Sequence, residues 1–230
     1  MKSYGGRTAT PKPLVHGGNR SARADDPRLD DRSPDLWDTQ LSSAARRLLT
    51  EGVRCFAAHG FQATSTRDIA ARAGLSPSAL YVHFATKEQL LYAMTRMGHS
   101  RILDEVRNVP VTDAASHLRA LVSHLVAWHA RHHMLGRVGT GDLMALEPTH
   151  YEDILRLRRE ILGMVRHAIG RGVSAGAFYP VDAHGVARAV VSMGIDVARW
   201  YPMEGTASPE TLGENYAELA LRMVGMAGDG

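Results

Sequence analysis

Between residues 65 and 87 lies a run of side chains whose types and spacing suit contact with a nucleic acid. Ser78, Ala79, Val82 and His83 fall on one face of a short helix that Ser76 and Pro77 begin. Short side chains on such a face can approach base edges: a hydroxyl donates or accepts, and a methyl group touches the thymine methyl. Tyr81 and Lys87 flank that face, His83 lies at its end, and Ser65 and Thr66 open the preceding helix. Hydroxyls, an imidazole, an ammonium and helix-start N–H groups are suited to phosphate oxygens, which fix register without reading sequence.

Such side chains work only if the backbone holds them, and three helix starts are written into the same stretch. Ser65 with Asp68, and Thr86 with Gln89, have capping-box spacing. Ser76 followed by Pro77 is an N-cap with proline at the first helical position, where its missing N–H costs nothing. Gly74 stands where a tight turn needs positive φ. Ala70 is small where the two helices cross, and Ile69, Leu75, Leu80 and Phe84 point back into a small core. Two short helices, the turn between them and a supporting third helix make a helix-turn-helix.

The stretch from about Ala44 to Met94, with Phe61-Gln-Ala-Thr-Ser-Thr-Arg-Asp-Ile-Ala70 and Leu80-Tyr-Val-His-Phe-Ala-Thr-Lys-Glu-Gln-Leu-Leu91, resembles the DNA-binding head of the TetR family. That resemblance implies a homodimer whose recognition helix spans Ser76–Phe84, each subunit taking half of a palindromic operator in double-stranded DNA. It places the family's phosphate-contact tyrosine and lysine on Tyr81 and Lys87. His83 stands where another aromatic side chain is usual.

The rest of the chain reads as helix, so the fold class is all-α: a three-helix head followed by a larger helical body for ligand binding and dimerisation. Residues 1–37, rich in Gly, Pro, Ser and Arg, are expected to be a disordered arm, either a dispensable tail or a reach toward a minor groove. The head takes residues 38–95 and the body 96–230. Its first helix is expected from Thr39 to His59, with three short helical pieces up to about Val109. Others follow over Asp113–His133, from Pro148, after Asp182 and from Ser208 with Pro209. Leu135–Leu146 is a glycine-rich stretch of less definite form. Residues 38–108 carry 9 Lys+Arg against 6 Asp+Glu, whereas residues 109–230 carry 11 against 13. A basic head on a mildly acidic body agrees with binding DNA at one end, although a few charges either way carry little weight alone.

In the body, His150-Tyr-Glu-Asp-Ile-Leu-Arg-Leu-Arg-Arg-Glu160, Gly172-Val-Ser-Ala-Gly-Ala-Phe178, Val186–Tyr201 and Tyr216–Val224 resemble an actinobacterial subgroup. That subgroup includes repressors of sterol and fatty-acid catabolism that respond to acyl-CoA thioesters. The resemblance implies a small apolar effector, an acyl-CoA or another large apolar ligand. Trp128, Leu157, Met164, Met193 and Trp200 are candidate pocket walls, though each also fits an ordinary core position. Arg158, Arg159 or Arg199 would meet a phosphate at the mouth. Small residues at Ala187, Ala189, Gly194, Ala198, Ala217 and Ala220 suggest that the last two helices pair with their copies.

Other functions find less support. No glycine-rich phosphate loop, nucleophile elbow or zinc-hydrolase motif is present, so no catalytic site and no cofactor are expected. His129 and His133 have metal-ligand spacing, and a metal-responsive regulator is the alternative they raise. They lack a carboxylate at matching spacing, and a wet polar helix face is the reading preferred for them. An architectural DNA binder without effector would not need so long a body. The single cysteine, Cys55, reads as a small buried hydrophobe. No apolar run is long enough to span a membrane, so a cytoplasmic protein without membrane contact is expected.

Overall fold

The computed structural model describes residues 30–204 and 207–225. Its nine α-helices, counted among the described residues, are α1 (Ser43–Ala63), α2 (Thr66–Arg72), α3 (Pro77–His83), α4 (Lys87–Arg107), α5 (Ala114–Arg131), α6 (His133–Gly141), α7 (Pro148–Ser174), α8 (Ala183–Glu204) and α9 (Pro209–Val224). Short 3₁₀ turns occupy Ser33–Leu36 and Leu143–Ala145. No strand is present among these residues beyond an isolated bridge at Phe178. Helices α1, α2 and α3 form the head. Helices α5, α7, α8 and α9 pack with α4 into the body, and α6 lies between α1 and α8.

Local chemistry accounts for the boundaries. Ser42, Ser65, Ser76, Thr86, Asp113 and Ser208 each accept a hydrogen bond from an N–H in the first turn of the helix they precede, each such cap being worth about 1 kcal/mol. Pro148 and Pro209 stand in the first turns of α7 and α9, where no donor is lost. The apolar stripe of α7 is buried throughout: Ile154, Leu157, Ile161, Val165, Ala168 and Ile169.

Several expectations are revised. Residues 30–37 are not a free tail: Ser33, Leu36 and Trp37 are buried, and Trp37 Nε1–H donates to Thr50 Oγ1 at 2.9 Å. The rest of the proposed arm lies outside the described residues. The third helical piece of the head is long, because α4 runs unbroken from Lys87 to Arg107. The boundary placed at 95/96 therefore falls inside a helix shared by head and body. The glycine-rich stretch after residue 133 forms α6. On α9 the core face is Leu212, Gly213, Ala217, Ala220, Leu221 and Val224, while Leu219 and Met223, which share helical spacing with Leu212 and Tyr216, are exposed. Small residues decide this: a Cβ on Gly213 would lie 2.6 Å from the Ser123 carbonyl oxygen, so α9 approaches α5 backbone to backbone.

The α5 histidines are also corrected. His129, with His133 at the start of α6, is buried rather than wet, as are His117 and His132, while His124 on the same helix is exposed. Their rings are kept in apolar surroundings by helix carbonyls: Nδ1 of His129 lies 2.7 Å from Leu125 O, and that of His132 2.9 Å from Trp128 O.

Candidate functional site

The turn between α2 and α3 closes on two backbone bonds, Leu75 N–H to Ala70 O at 2.9 Å and Gly74 N–H to Ala71 O at 3.0 Å. This is the paired pattern of a Schellman ending, and Gly74 has the positive φ of 65° that it requires. The Ser65–Asp68 capping box is complete, Asp68 N–H donating to Ser65 Oγ at 3.1 Å and Ser65 N–H to the Asp68 carboxylate at 3.3 Å. Hydrogen bonds donated by the Ser65 hydroxyl, at 2.6 Å, and by the Ser65 N–H hold the Asp68 carboxyl below its ordinary range. At the start of α4, Gln89 reaches Ala85 N–H at 3.1 Å, not the N–H of Thr86. Ile69, Ala70 and Leu80 are fully buried between the helices. Burial of a side chain such as Leu80 is worth about 1.5–3 kcal/mol, enough to fix the angle at which α3 is presented.

That angle exposes the predicted base-facing set. Val82 is 79% exposed, Ser76, Pro77, Ser78 and His83 are also exposed, and Ala79 is half-buried. Ser76 Oγ and Ser78 Oγ share a hydrogen bond of 2.9 Å. Tyr81, 53% exposed, places its hydroxyl 3.1 Å from Thr66 Oγ1, which joins the phosphate-side candidates of the two helices into one polar edge. Ser65 is exposed beside it. Lys87 is used differently. Its Nζ donates to Phe61 O and Thr64 O, both at 2.8 Å, and sits 4.2 Å from the centre of the Phe61 ring. Two of its three N–H bonds are thus spent terminating α1, a role its sequence position did not announce.

A second site lies in the body. A cavity of about 200 Å³ opens between α4, α5, α6, α7 and α8. Ile102, Leu125, Ile161 and Val191 supply apolar wall, and Arg158, His99 and His129 supply the polar part. Arg158 Nε–H donates to His99 Nε2 at 3.1 Å, and its Nη2 donates to the Gly139 carbonyl. It has no carboxylate partner among the described residues, and burial lowers its pKa. Burial lowers the pKa of both His99 and His129 to about 4, so both imidazoles are neutral near neutrality. The Trp128 indole N–H, on the same wall, is buried with no hydrogen-bond partner.

Of the pocket candidates read from sequence, Trp128 and Arg158 line this cavity. Leu157 is in the core, and Met164 lines a separate shallow groove with Val111 and His167. Met193 and Trp200 pack partly buried against the core. Arg159 pairs on the surface with Glu152 at 2.9 Å. Arg199 pairs with Asp196 at 3.0 Å and borders an open depression that shares Thr140, Ser192 and Ile195 with the cavity wall. Sequence reading missed His99, Gly139 and Arg188. Helical spacing put His99 on α4, and only the fold brings α4 against α7. Of the metal candidates, His129 and His133 are each held by a helix carbonyl. The set with ligating atoms mutually within 4.8 Å, among the described residues, is Glu88, Glu147 and His150.

Comparison with known proteins agrees with this geometry. Residues 43–94 match the family model described as bacterial regulatory proteins, tetR family, and residues 111–224 match the tetracyclin repressor-like C-terminal domain. The chain belongs to the TetR family. It is 30% identical over 191 residues to the HTH-type transcriptional repressor KstR2 of Mycolicibacterium smegmatis, covering 80% of this chain and 93% of the relative. A tetR-family regulatory protein from Rhodococcus RHA1 shares 39% identity with a TM-score of 0.77, over 82% of this chain and all of the other. AibR, in complex with isovaleryl coenzyme A and operator DNA, has the same fold, at 20% identity over 77% of this chain and 97% of its own, with a TM-score of 0.65. The TetR-family chain is therefore a DNA-binding transcriptional repressor with a helix-turn-helix head. No described helix is long and apolar enough to cross a membrane.

Proposed function

We propose that this repressor works as a homodimer on a palindromic operator and releases it when a small apolar effector, an acyl-CoA thioester, enters the body cavity. The observation that carries the reading is Arg158. A half-buried guanidinium beside apolar walls, bonded among the described residues to a neutral imidazole and a backbone carbonyl, is costly unless a ligand oxygen completes its hydrogen bonding. The unpartnered indole N–H of Trp128 offers a second donor. A thioester carbonyl supplies such an acceptor, and the acyl chain would take the apolar wall.

Size narrows the class. A dry cavity of roughly 150 Å³ holds a benzene ring, so about 200 Å³ suits a short, branched or single-ring acyl group. The nucleotide part would stay outside, where exposed Arg188 and Arg199 on α8 stand near its phosphates. AibR, of this fold, is described with a short branched acyl-CoA and DNA together. For the dimer, Leu219 at 45% and Met223 at 38% exposure on α9, with half-buried Trp200 on α8, leave an apolar face open. Of the small residues on these two helices, Ala187, Gly194, Ala198, Ala217 and Ala220 are buried within one chain and are not free for that contact.

Operator selection from random duplexes, then fluorescence anisotropy against acyl-CoAs from acetyl to decanoyl, benzoyl-CoA and the free acids, tests the reading. Release by short or branched acyl-CoAs, with a palindromic consensus and a dimer by light scattering, is the expected result. Release by free acids alone would reassign the effector.

A further inference from the structure

The starts of α4 and α7 meet around three side chains that neither the cavity nor the DNA-facing edge uses: Glu88, Glu147 and His150. Glu88 follows Lys87 at the start of α4. Glu147 is the N-cap residue of α7, and His150 lies in the first turn of that helix. Each offers one ligand atom, and these atoms all lie within 4.8 Å of one another.

The three are already held in place. Glu88 Oε1 accepts from the Glu147 backbone N–H at 3.1 Å and lies 2.8 Å from His150 Nδ1. The His150 ring is stacked on Tyr92, with centroids 3.7 Å apart and planes within 9° of parallel. The Tyr92 hydroxyl in turn donates to Asp153, one turn beyond His150, at 2.9 Å. A ligand imidazole depends on groups behind it that fix its ring, and both helices supply them here.

The other oxygen of Glu88 has no such partner. The side chain is only 12% exposed, and Oε2 is fully buried without a hydrogen bond. A buried carboxylate oxygen is costly unless a donor or an opposite charge meets it. Among the described residues neither glutamate pairs with an arginine or lysine: Glu88 pairs with His150, and Lys87 next to it is spent on Phe61 O and Thr64 O. Two carboxylates this close repel each other, and a cation between them removes the repulsion.

We propose that Glu88, Glu147 and His150 bind one divalent transition-metal cation. Glu88 forms the floor of the site, half-buried His150 its wall, and exposed Glu147 its mouth, where water completes the coordination. An imidazole nitrogen with two carboxylates suits zinc, iron(II) or manganese(II) better than magnesium or calcium, which take oxygen ligands. Coordination through Nδ1 displaces the proton shared by His150 and Glu88 and releases it to solvent. The bound cation ties the start of α7 to the start of α4, one residue beyond the lysine that closes α1.

The test uses full-length protein without an affinity tag, stripped with a chelator. Zinc is titrated by calorimetry, and cobalt(II) by its visible ligand-field absorption. One ion per chain and a raised thermal-unfolding midpoint are expected, with magnesium and calcium giving neither. Glu147→Gln should weaken zinc binding by more than about 100-fold, beyond the range of losses for groups that only support a ligand. Glu88→Gln and His150→Gln should each remove the cobalt absorption. The chain has 12 histidines, so His124→Gln, at an exposed position on α5, is the control and should leave binding unchanged. Zinc bound equally by wild type and Glu147→Gln would overturn the proposal, as adventitious binding to other histidines. No binding to wild type would overturn it too, and would mean that the two helix starts alone sustain the carboxylates. If Glu88→Gln or His150→Gln does not fold, Glu147→Gln, at the surface, still decides.

Discussion

Lys87 donates from Nζ to the carbonyl oxygen of Phe61 at 2.8 Å while lying 4.2 Å from the centre of the same residue's ring. With its second bond, to Thr64 O, the ammonium closes the end of α1 from the first position of α4. Lys87→Met is therefore expected to lower stability by about 1.5–3 kcal/mol, the range for hydrogen bonds to a charged group. Operator affinity should fall with it, but the slope of log affinity against log salt should stay at the wild-type value. A phosphate contact instead reduces that slope by about one when lost. Salt titrations of both proteins, with urea unfolding alongside, separate the two roles.

Tyr81 and Thr66 form a different edge. Their hydroxyls, 3.1 Å apart, belong to different helices and lie at the surface. Tyr81→Phe keeps the ring packing and removes one hydroxyl, so a loss of roughly threefold to tenfold in operator affinity is expected, matching about 0.5–1.5 kcal/mol for a hydrogen bond. The loss should be the same for every operator variant, because a phosphate-side group carries no sequence information. Val82→Ala, on the exposed face of α3, should shift the selected consensus. A consensus changed by Tyr81→Phe and untouched by Val82→Ala would reverse the assignment of the two faces.

The head was legible in sequence because each of its devices is local: caps, a turn glycine and a proline lie within a few residues of the groups they serve. Ser65, Gly74, Ser76 and Pro77 need no tertiary knowledge to interpret. Arg158 and Trp128 could be picked out as candidates, but His99, Gly139 and Arg188 join them only after α4, α6, α7 and α8 are packed. Spacing along one helix is blind to that. The same limit explains Leu219 and Met223: a 3.6-residue period identifies a stripe but does not say whether bulky or small residues take the inner face.

The buried histidines give the protein an acid limit. His99, His129 and His132 each have a folded pKa lowered by burial to about 4 from the usual 6.5. With folded values depressed, the unfolded chain binds more protons between these two points. Stability is then fully present above about pH 6.5 and falls as pH drops toward 4, by about 1.4 kcal/mol per pH unit for each histidine. Urea midpoints at pH 7.5, 6.5, 5.5 and 4.5 should fall steeply over the last three. His129→Gln should flatten the curve, and a curve unchanged by that substitution would remove His129 from the account.

At Gly213 two helices approach each other backbone to backbone. A Cβ there would lie 2.6 Å from the Ser123 carbonyl oxygen and 2.8 Å from its hydroxyl. The carbonyl belongs to α5 and cannot swing aside, so Gly213→Ala must push α9 away from a face that also buries Ala217, Ala220 and Leu221. The helix-propensity gain of about 1 kcal/mol is outweighed by an overpacking cost of about 1–3 kcal/mol and by loosened contacts along the rest of the helix. A net loss of stability is expected from thermal unfolding. At Gly163, where an added Cβ meets no neighbouring atom within 4 Å, alanine should instead stabilise α7 by a few tenths to 1 kcal/mol. Opposite signs for two glycine-to-alanine changes in one body separate close approach from propensity; equal signs would mean that α9 is free to shift.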